Sequence, residues 1–195
     1  MNFYQILVVT KIKDNFDLTK PSKSIGKMGA FHGNFGALVR AYAYIRTLGK
    51  EGINSISEDA VINANYLRTK LENTLDLPYN RICSHEVVFS AKTIKEKYGV
   101  NALDISKRLI DYNIHPPTMY FPLIVDEALL VEPTETESKE TLDDFIYVIK
   151  QIVDEAKTDP ELLHNAPHNT PNKRLNEALA ARNPKLSWRD TQLSS

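Results

Sequence analysis

The sequence predicts an α+β fold, an antiparallel sheet covered by helices. Three observations carry this prediction. Short β-branched runs stand on both sides of a stretch with helical period. Two of the strand-like runs, Thr118–Phe121 and Ala128–Val131, are spaced to pair as a hairpin. The strongest helical stripe, Leu142, Phe145, Ile146, Ile149, Ile152, Val153 and Ala156, follows that hairpin directly. The expected organisation is an amino-terminal strand and helical connector over residues 1–78, then a small α+β domain with a carboxy-terminal tail over 79–195.

Taken in order, Tyr4–Lys13 holds the β-branched run Ile6–Val9 and reads as a strand with no obvious local partner. Asp14–Lys27 is polar, contains Pro21 and Gly26, and reads as a connector. Glycines 29, 33 and 36 precede or open a helix in which Leu38, Ala41, Tyr42, Ile45 and Leu48 recur at three- and four-residue spacing. That period predicts one buried apolar face, with Gly49 as the stop. Ser55 and Glu58 have capping-box spacing ahead of Val61, Ala64, Leu67 and Leu71, and this second helix should end before Pro78. Val87–Phe89 centres a strand, and Ala102, Ile105, Leu109 and Tyr112 mark a further helix. Pro122 makes its strand an edge or ends it. The final long helix stops at Asp159–Pro160, and the segment His164–Arg174 reads as loop.

Composition narrows the function. With 24 basic and 25 acidic residues the formal charge is -1, so no large positive field exists to grip nucleic acid. Cys83 is the one cysteine, which excludes an internal disulfide and a cysteine-based zinc site. In its strand-like run it reads as a small buried hydrophobe in a reducing, cytoplasmic setting. No apolar run approaches the roughly 20 residues that span a bilayer, and the first ten residues lack the basic start and cleavage site of a signal peptide.

Four constellations could carry chemistry. The glycine-rich stretch Phe31–Gly36 precedes a helix, where exposed amides favour anions; the simpler reading is a tight turn with Asn34 as N-cap. His115-Pro116-Pro117-Thr118 is stiffened by two fixed φ angles, so that His115 and Thr118 could face a ligand; the simpler reading is a rigid turn that could hold a cis-proline. The run Glu132–Glu137 reads as a solvated helix start, with Thr134 and Glu137 at capping-box spacing. His164 and His168 have a metal-binding spacing on a helix, but Pro167 between them breaks such a helix, and no metal site is expected.

Taken together and in order, the motifs resemble the pyridoxal-phosphate glycine decarboxylase of the glycine cleavage system, the P-protein. The matching phrases are PSKSIGKMGAFHGNFGALVRAYAYIRTLG (Pro21–Gly49), NALDISKRLIDYNIHPPTMYFPLIVDEALLVEPTETESKETLDDFI (Asn101–Ile146) and DPELLHNAPHNTP (Asp159–Pro171). In two-subunit versions of that enzyme the region is the carboxy-terminal part of the second subunit. The resemblance implies the small domain of a fold-type-I transferase, whose parent fold is α/β. It implies a reaction in which the cofactor takes up the electrons released as glycine loses carbon dioxide, and the aminomethyl group passes to the lipoyl arm of the H-protein.

The sequence departs from the family in one chemical respect. The family's imine-forming lysine follows a histidine, upstream of the matched region, and this sequence contains no His-Lys pair. The chain is therefore expected not to hold pyridoxal 5'-phosphate covalently and to be inactive alone. Its expected partners are a glycine decarboxylase subunit bearing the cofactor domain and the lipoyl H-protein, with no nucleic acid and no membrane. A non-catalytic fragment that docks on the full enzyme is the alternative. By family phrase, Asn34, His115, Thr118, Glu132, Thr134 and Glu135 are the expected substrate or lipoyl-approach residues; no catalytic residue is assigned. His32 departs from the tyrosine common among relatives.

Overall fold

A computed structural model of the chain describes residues 8–24, 26 and 33–188. The expected strand residues Tyr4–Leu7, and Gly29 and His32 of the glycine-rich stretch, lie outside them. The chain divides into two compact units, Met1–Lys50 and Glu51–Ser195. Within them helices combine with small antiparallel sheets, an α+β fold.

In the first unit, β1 (Val8–Ile12) pairs antiparallel with β2 (Asn15–Thr19), in register Val8↔Thr19 to Ile12↔Asn15. This corrects two expectations: the first strand has a local partner, and part of the connector supplies it. Lys13, at φ 55, makes the tight turn between them. A helical run, α1 (Phe35–Leu71), begins where Asn34 accepts the Ala37 amide at 3.2 Å, as an N-cap should. Gly49 interrupts the run at φ 65, a left-handed backbone that glycine adopts without a Cβ penalty. The part of α1 before Gly49 does not bury its periodic face: Leu38, Tyr42 and Ile45 are 58%, 66% and 51% exposed. Period reports that a helix is two-faced and says nothing of what covers the apolar face.

In the second unit, a three-stranded sheet has the order β3-β5-β4, from β3 (Val87–Ser90), β4 (Thr118–Met119) and β5 (Ala128–Val131), with both pairings antiparallel. Strand β4 is an edge of only two residues. Prolines 116 and 117 before it, and Pro122 after it, cannot donate to a ladder. The cis peptide bonds are Phe121–Pro122 and Ala166–Pro167, so among the described residues the Pro116-Pro117 turn is trans.

Helices α2 (Lys92–Tyr98), α3 (Ala102–Asp111) and α4 (Lys139–Thr158) belong to the same unit, followed by the short α5 (Pro160–His164) and α6 (Glu177–Arg182). Helix α2 was not foreseen; it ends at Gly99, which is left-handed at φ 76. The stripe of α4 is buried as its period predicts, with Ile149 and Ile152 at 1% and 0% exposure. They pack in one core with Phe89, Ile105, Leu109 and Leu129, joined by Leu67, Leu71 and Leu75 from the segment before residue 78.

Three local expectations change. Ser55 is inside α1, where its hydroxyl donates back to the Gly52 carbonyl at 3.1 Å instead of capping a new helix. The cap of α4 is Ser138, which accepts the Thr141 amide at 3.1 Å, and not Thr134. Cys83 is half-buried in the loop before β3, held on both backbone groups by the Asn65 amide; burial pushes its thiol up.

Asp104, fully buried, ties the end of the chain to α3. With Asn101 it forms a capping box, and its second partners are His164 Nδ1 at 3.2 Å and Arg174 Nη2 at 2.7 Å. Leu163 and Ala166 are fully buried beneath this segment, whereas α6 buries nothing.

Candidate functional site

Two rigid corners define a groove in the second unit. Pro116 and Pro117 fix the entry to β4, and Pro133, buried, fixes the exit from β5. His115 and Thr118 project from the first corner and Glu132 from the second. All three line one groove of about 650 Å³ against α4. Its floor is apolar, built from Ile114, Leu130, Leu142, Phe145 and Val148, and its polar groups converge from the rim. That combination is what a ligand site needs.

Among the described residues, Glu132, Glu137 and Asp144 are the charged lining groups beside His115, and no lysine or arginine lines the groove. The site is acidic. His85 Nε2 stands 3.7 Å from Glu132 Oε1, but both side chains are more than half exposed, so the pair positions Glu132 only loosely. A larger depression of about 1000 Å³, lined by Lys92, Lys97, Lys150 and Lys157, contains none of the expected site residues. Two of its cations are already matched, Lys92 by Asp126 at 3.1 Å and Lys157 by Asp154 at 2.7 Å.

Behind the groove lies a charged brace that sequence reading did not find. Tyr112, on the groove wall, donates its hydroxyl to Glu155 Oε1 at 2.7 Å. Arg108 holds the same carboxylate and also Asp111 Oδ2 at 3.1 Å, and its guanidinium lies 5.0 Å from the Tyr112 ring centre. Asp111 Oδ1 accepts the amides of His168 and Asn169 at 2.6 and 2.7 Å. Burial pushes the Asp111 carboxyl up; the Asn169 and His168 amides and the Arg108 guanidinium outweigh it and hold the group below its ordinary value. Glu155 behaves alike, burial being outweighed by Arg108 and Tyr112, while burial and then Glu155 push the Tyr112 hydroxyl up. A polar face with several carboxylates looks in sequence like any solvated surface, which is why this brace left no signal.

The other expected residues lie elsewhere. Thr134 bonds its hydroxyl to Thr136 and its carbonyl accepts from Asn63 Nδ2 at 2.9 Å. Glu135 lines a separate small depression with Ile56, Val61 and His85. Asn34 caps α1 in the first unit. His164 contacts Asp104, and His168 Nε2 is 2.7 Å from the Leu162 carbonyl; among the described residues no three His, Cys, Asp or Glu side chains gather as a metal site. Among those residues, too, no helix is long and apolar enough to cross a membrane.

The comparisons with known proteins converge. The family model described as glycine dehydrogenase, C-terminal domain, matches residues 56–172. A protein of Thermotoga maritima, described as "probable glycine dehydrogenase (decarboxylating) subunit 2", is 50% identical over 189 residues, which are 97% of this chain and 40% of the relative. Proteins of the same description from Kosmotoga olearia and Shouchella clausii are 51% and 54% identical, over 95% and 89% of this chain and 39% and 35% of their own length. The chain thus spans about two-fifths of the length of the curated relatives it matches.

Proposed function

The chain belongs to the glycine dehydrogenase C-terminal domain family, and from that premise we propose that it is the carboxy-terminal portion of a pyridoxal-phosphate-dependent glycine decarboxylase of the glycine cleavage system, inactive until joined to a cofactor-bearing partner. The single observation that carries this reading is the extent of the match. Nearly the whole chain aligns with only two-fifths of a decarboxylating subunit. The exposed apolar face around Leu38, Tyr42 and Ile45 supports it, since a face of that kind is ordinarily covered in a finished assembly.

Pyridoxal phosphate does not fit the groove as a resident group. An imine needs an amine, and among the described residues no lysine lines the site; a phosphate needs cations or clustered amides, and the charged lining groups beside His115 are carboxylates. In this reading the groove is one wall of a cleft completed by the partner. His115, Thr118 and Glu132 orient what enters it, the apolar floor keeps water from the inner wall, and the Arg108–Glu155 brace keeps Tyr112 in place. The fold's role is that of a fold-type-I small domain, and the arm of a lipoyl H-protein is the macromolecular substrate that would pass along it.

Glycine, pyridoxal phosphate and radiolabelled bicarbonate test the proposal by carboxyl exchange. The purified chain alone should show none, and the chain co-expressed with the remaining three-fifths of the Thermotoga maritima relative should gain it. Exchange by the chain alone, or a lysine of this chain trapped on the cofactor by borohydride, would overturn the reading.

A further inference from the structure

A second apolar surface lies in the other unit, on the loop that joins β4 to β5. Tyr120, Phe121, Leu123 and Ile124 are 42%, 55%, 86% and 83% exposed, four large apolar side chains within five residues. Such clustering exceeds the scattered exposed apolar residues normal on a monomer. The loop does not fold back to hide them, because its backbone is tied down. The Tyr120 amide donates to the Ala128 carbonyl at 2.9 Å, the Val125 amide to Pro122 at 3.0 Å, and the Ser90 hydroxyl to the Asp126 carbonyl at 2.6 Å. Tyr120 and Glu127, at φ 57 and 50, hold a left-handed backbone uncommon for such residues at the two ends of the loop. Beside the knob runs a shallow groove of about 630 Å³ floored by Tyr120, Leu123 and Val125. Its cations are matched within the chain, Lys92 with Asp126 and Lys95 with Glu127.

We propose that the Tyr120–Ile124 loop is a docking knob that inserts into an apolar pocket on the remaining three-fifths of the decarboxylase subunit. The proposal rests on the reading that this chain completes a larger subunit. Two features select that occupant. The curated relatives carry, in the same polypeptide, a stretch longer than this chain that could cover the loop. Both rim cations are paired within the chain and, among the described residues, Glu96 is the one rim charge left over, so the knob offers a partner mainly apolar surface and no positive field for a nucleic acid.

The test co-expresses the tagged 195-residue chain with the remaining three-fifths of the Thermotoga maritima relative, and compares wild type with L123D/I124D. Because Leu123 and Ile124 are almost wholly exposed, the double variant should keep the wild-type melting temperature, and its thermal transition is recorded as the control for folding. Wild type should retain the co-expressed segment through affinity and size-exclusion steps, and L123D/I124D should lose at least nine-tenths of it, which is roughly a tenfold weakening. Equal retention by both would overturn the knob while leaving the proposed function standing. Retention by neither, with the wild-type chain forming a dimer that the double variant abolishes, would make a second copy the occupant and overturn the proposal. Retention by neither, with a monomeric chain, would remove both the knob and the reading beneath it.

Discussion

Arg108 grips Glu155 through two parallel hydrogen bonds, Nε to Oε2 at 2.9 Å and Nη2 to Oε1 at 2.8 Å. The pair fastens α3 to α4 with side chains only 13% and 21% exposed, a geometry that a lysine ammonium cannot reproduce. Arg108→Ala should destabilise the chain by about 2–4 kcal/mol, because it leaves Glu155 and Asp111 as poorly solvated anions. Arg108→Lys should recover less than half of that. Urea unfolding of both variants, with Glu155→Gln completing a double-mutant cycle, measures the coupling; a coupling near zero would show the pair to be ornamental.

The same brace sets the response to acid. Asp111 and Glu155 are both held below their ordinary values in the fold, so each binds its proton more readily when unfolded. Their stabilisation is complete above the unfolded carboxylate range, about pH 4, and is lost as the pH falls through their folded values. The urea midpoint should therefore stay flat from neutral pH to about 5 and then drop, with a shallower drop in Asp111→Asn. A decline that begins near pH 7 would show that groups other than this brace set the response.

Replacing Ser138 separates two readings of the same acidic stretch. Ser138→Ala removes the side chain that caps α4 and should cost about 1 kcal/mol, whereas Thr134→Ala, outside the helix, should cost less than about 0.5 kcal/mol. Equal losses would restore Thr134 as the cap.

Ile152 is fully buried between α4 and the sheet core. Ile152→Ala should cost about 2–5 kcal/mol through lost burial and a residual cavity. Differential scanning calorimetry reads this directly, and a loss below 1 kcal/mol would mean that the core collapses around the gap.

The face before Gly49 should behave in the opposite way. Leu38→Lys and Ile45→Lys exchange exposed apolar groups for charged ones, so each should shift stability of the chain by no more than about 0.5 kcal/mol. Both should weaken assembly with the co-expressed segment. A large loss of stability in the chain alone would show that the face is already covered.

Legibility in the sequence followed the strength of the burial pattern. Helix α4 is readable because Leu142, Ile146, Ile149, Ile152 and Val153 all reach the core, and the β4–β5 hairpin because prolines bracket its edge strand. Helix α2 escaped because Ile94 is its only buried residue among charged neighbours; Gly99, at the left-handed stop, was the available signal. Strand β2 escaped because Asn15, Asp17 and Thr19 make it look like connector, although Phe16 and Leu18 alternate with them. Of the groove, the Pro116-Pro117 corner with His115 and Thr118 could be read from the residues, whereas Glu132 came only from the family phrase and the corner at Pro133 was not foreseen. The brace could not, since Arg108, Asp111 and Glu155 meet only through the packing of α3 on α4.

Asp104 has a practical corollary for anyone excising this domain. The family match closes at residue 172, two positions before Arg174, the guanidinium that meets the carboxylate at 2.7 Å. A clone trimmed at that boundary would keep the Asn101 cap and His164 but leave the innermost anion of α3 without its permanent counter-charge. Insolubility of such a clone would then report on the lost Lys173 and Arg174 contacts to the His168 and Ala166 carbonyls and to Asp104, and not on the autonomy of the domain.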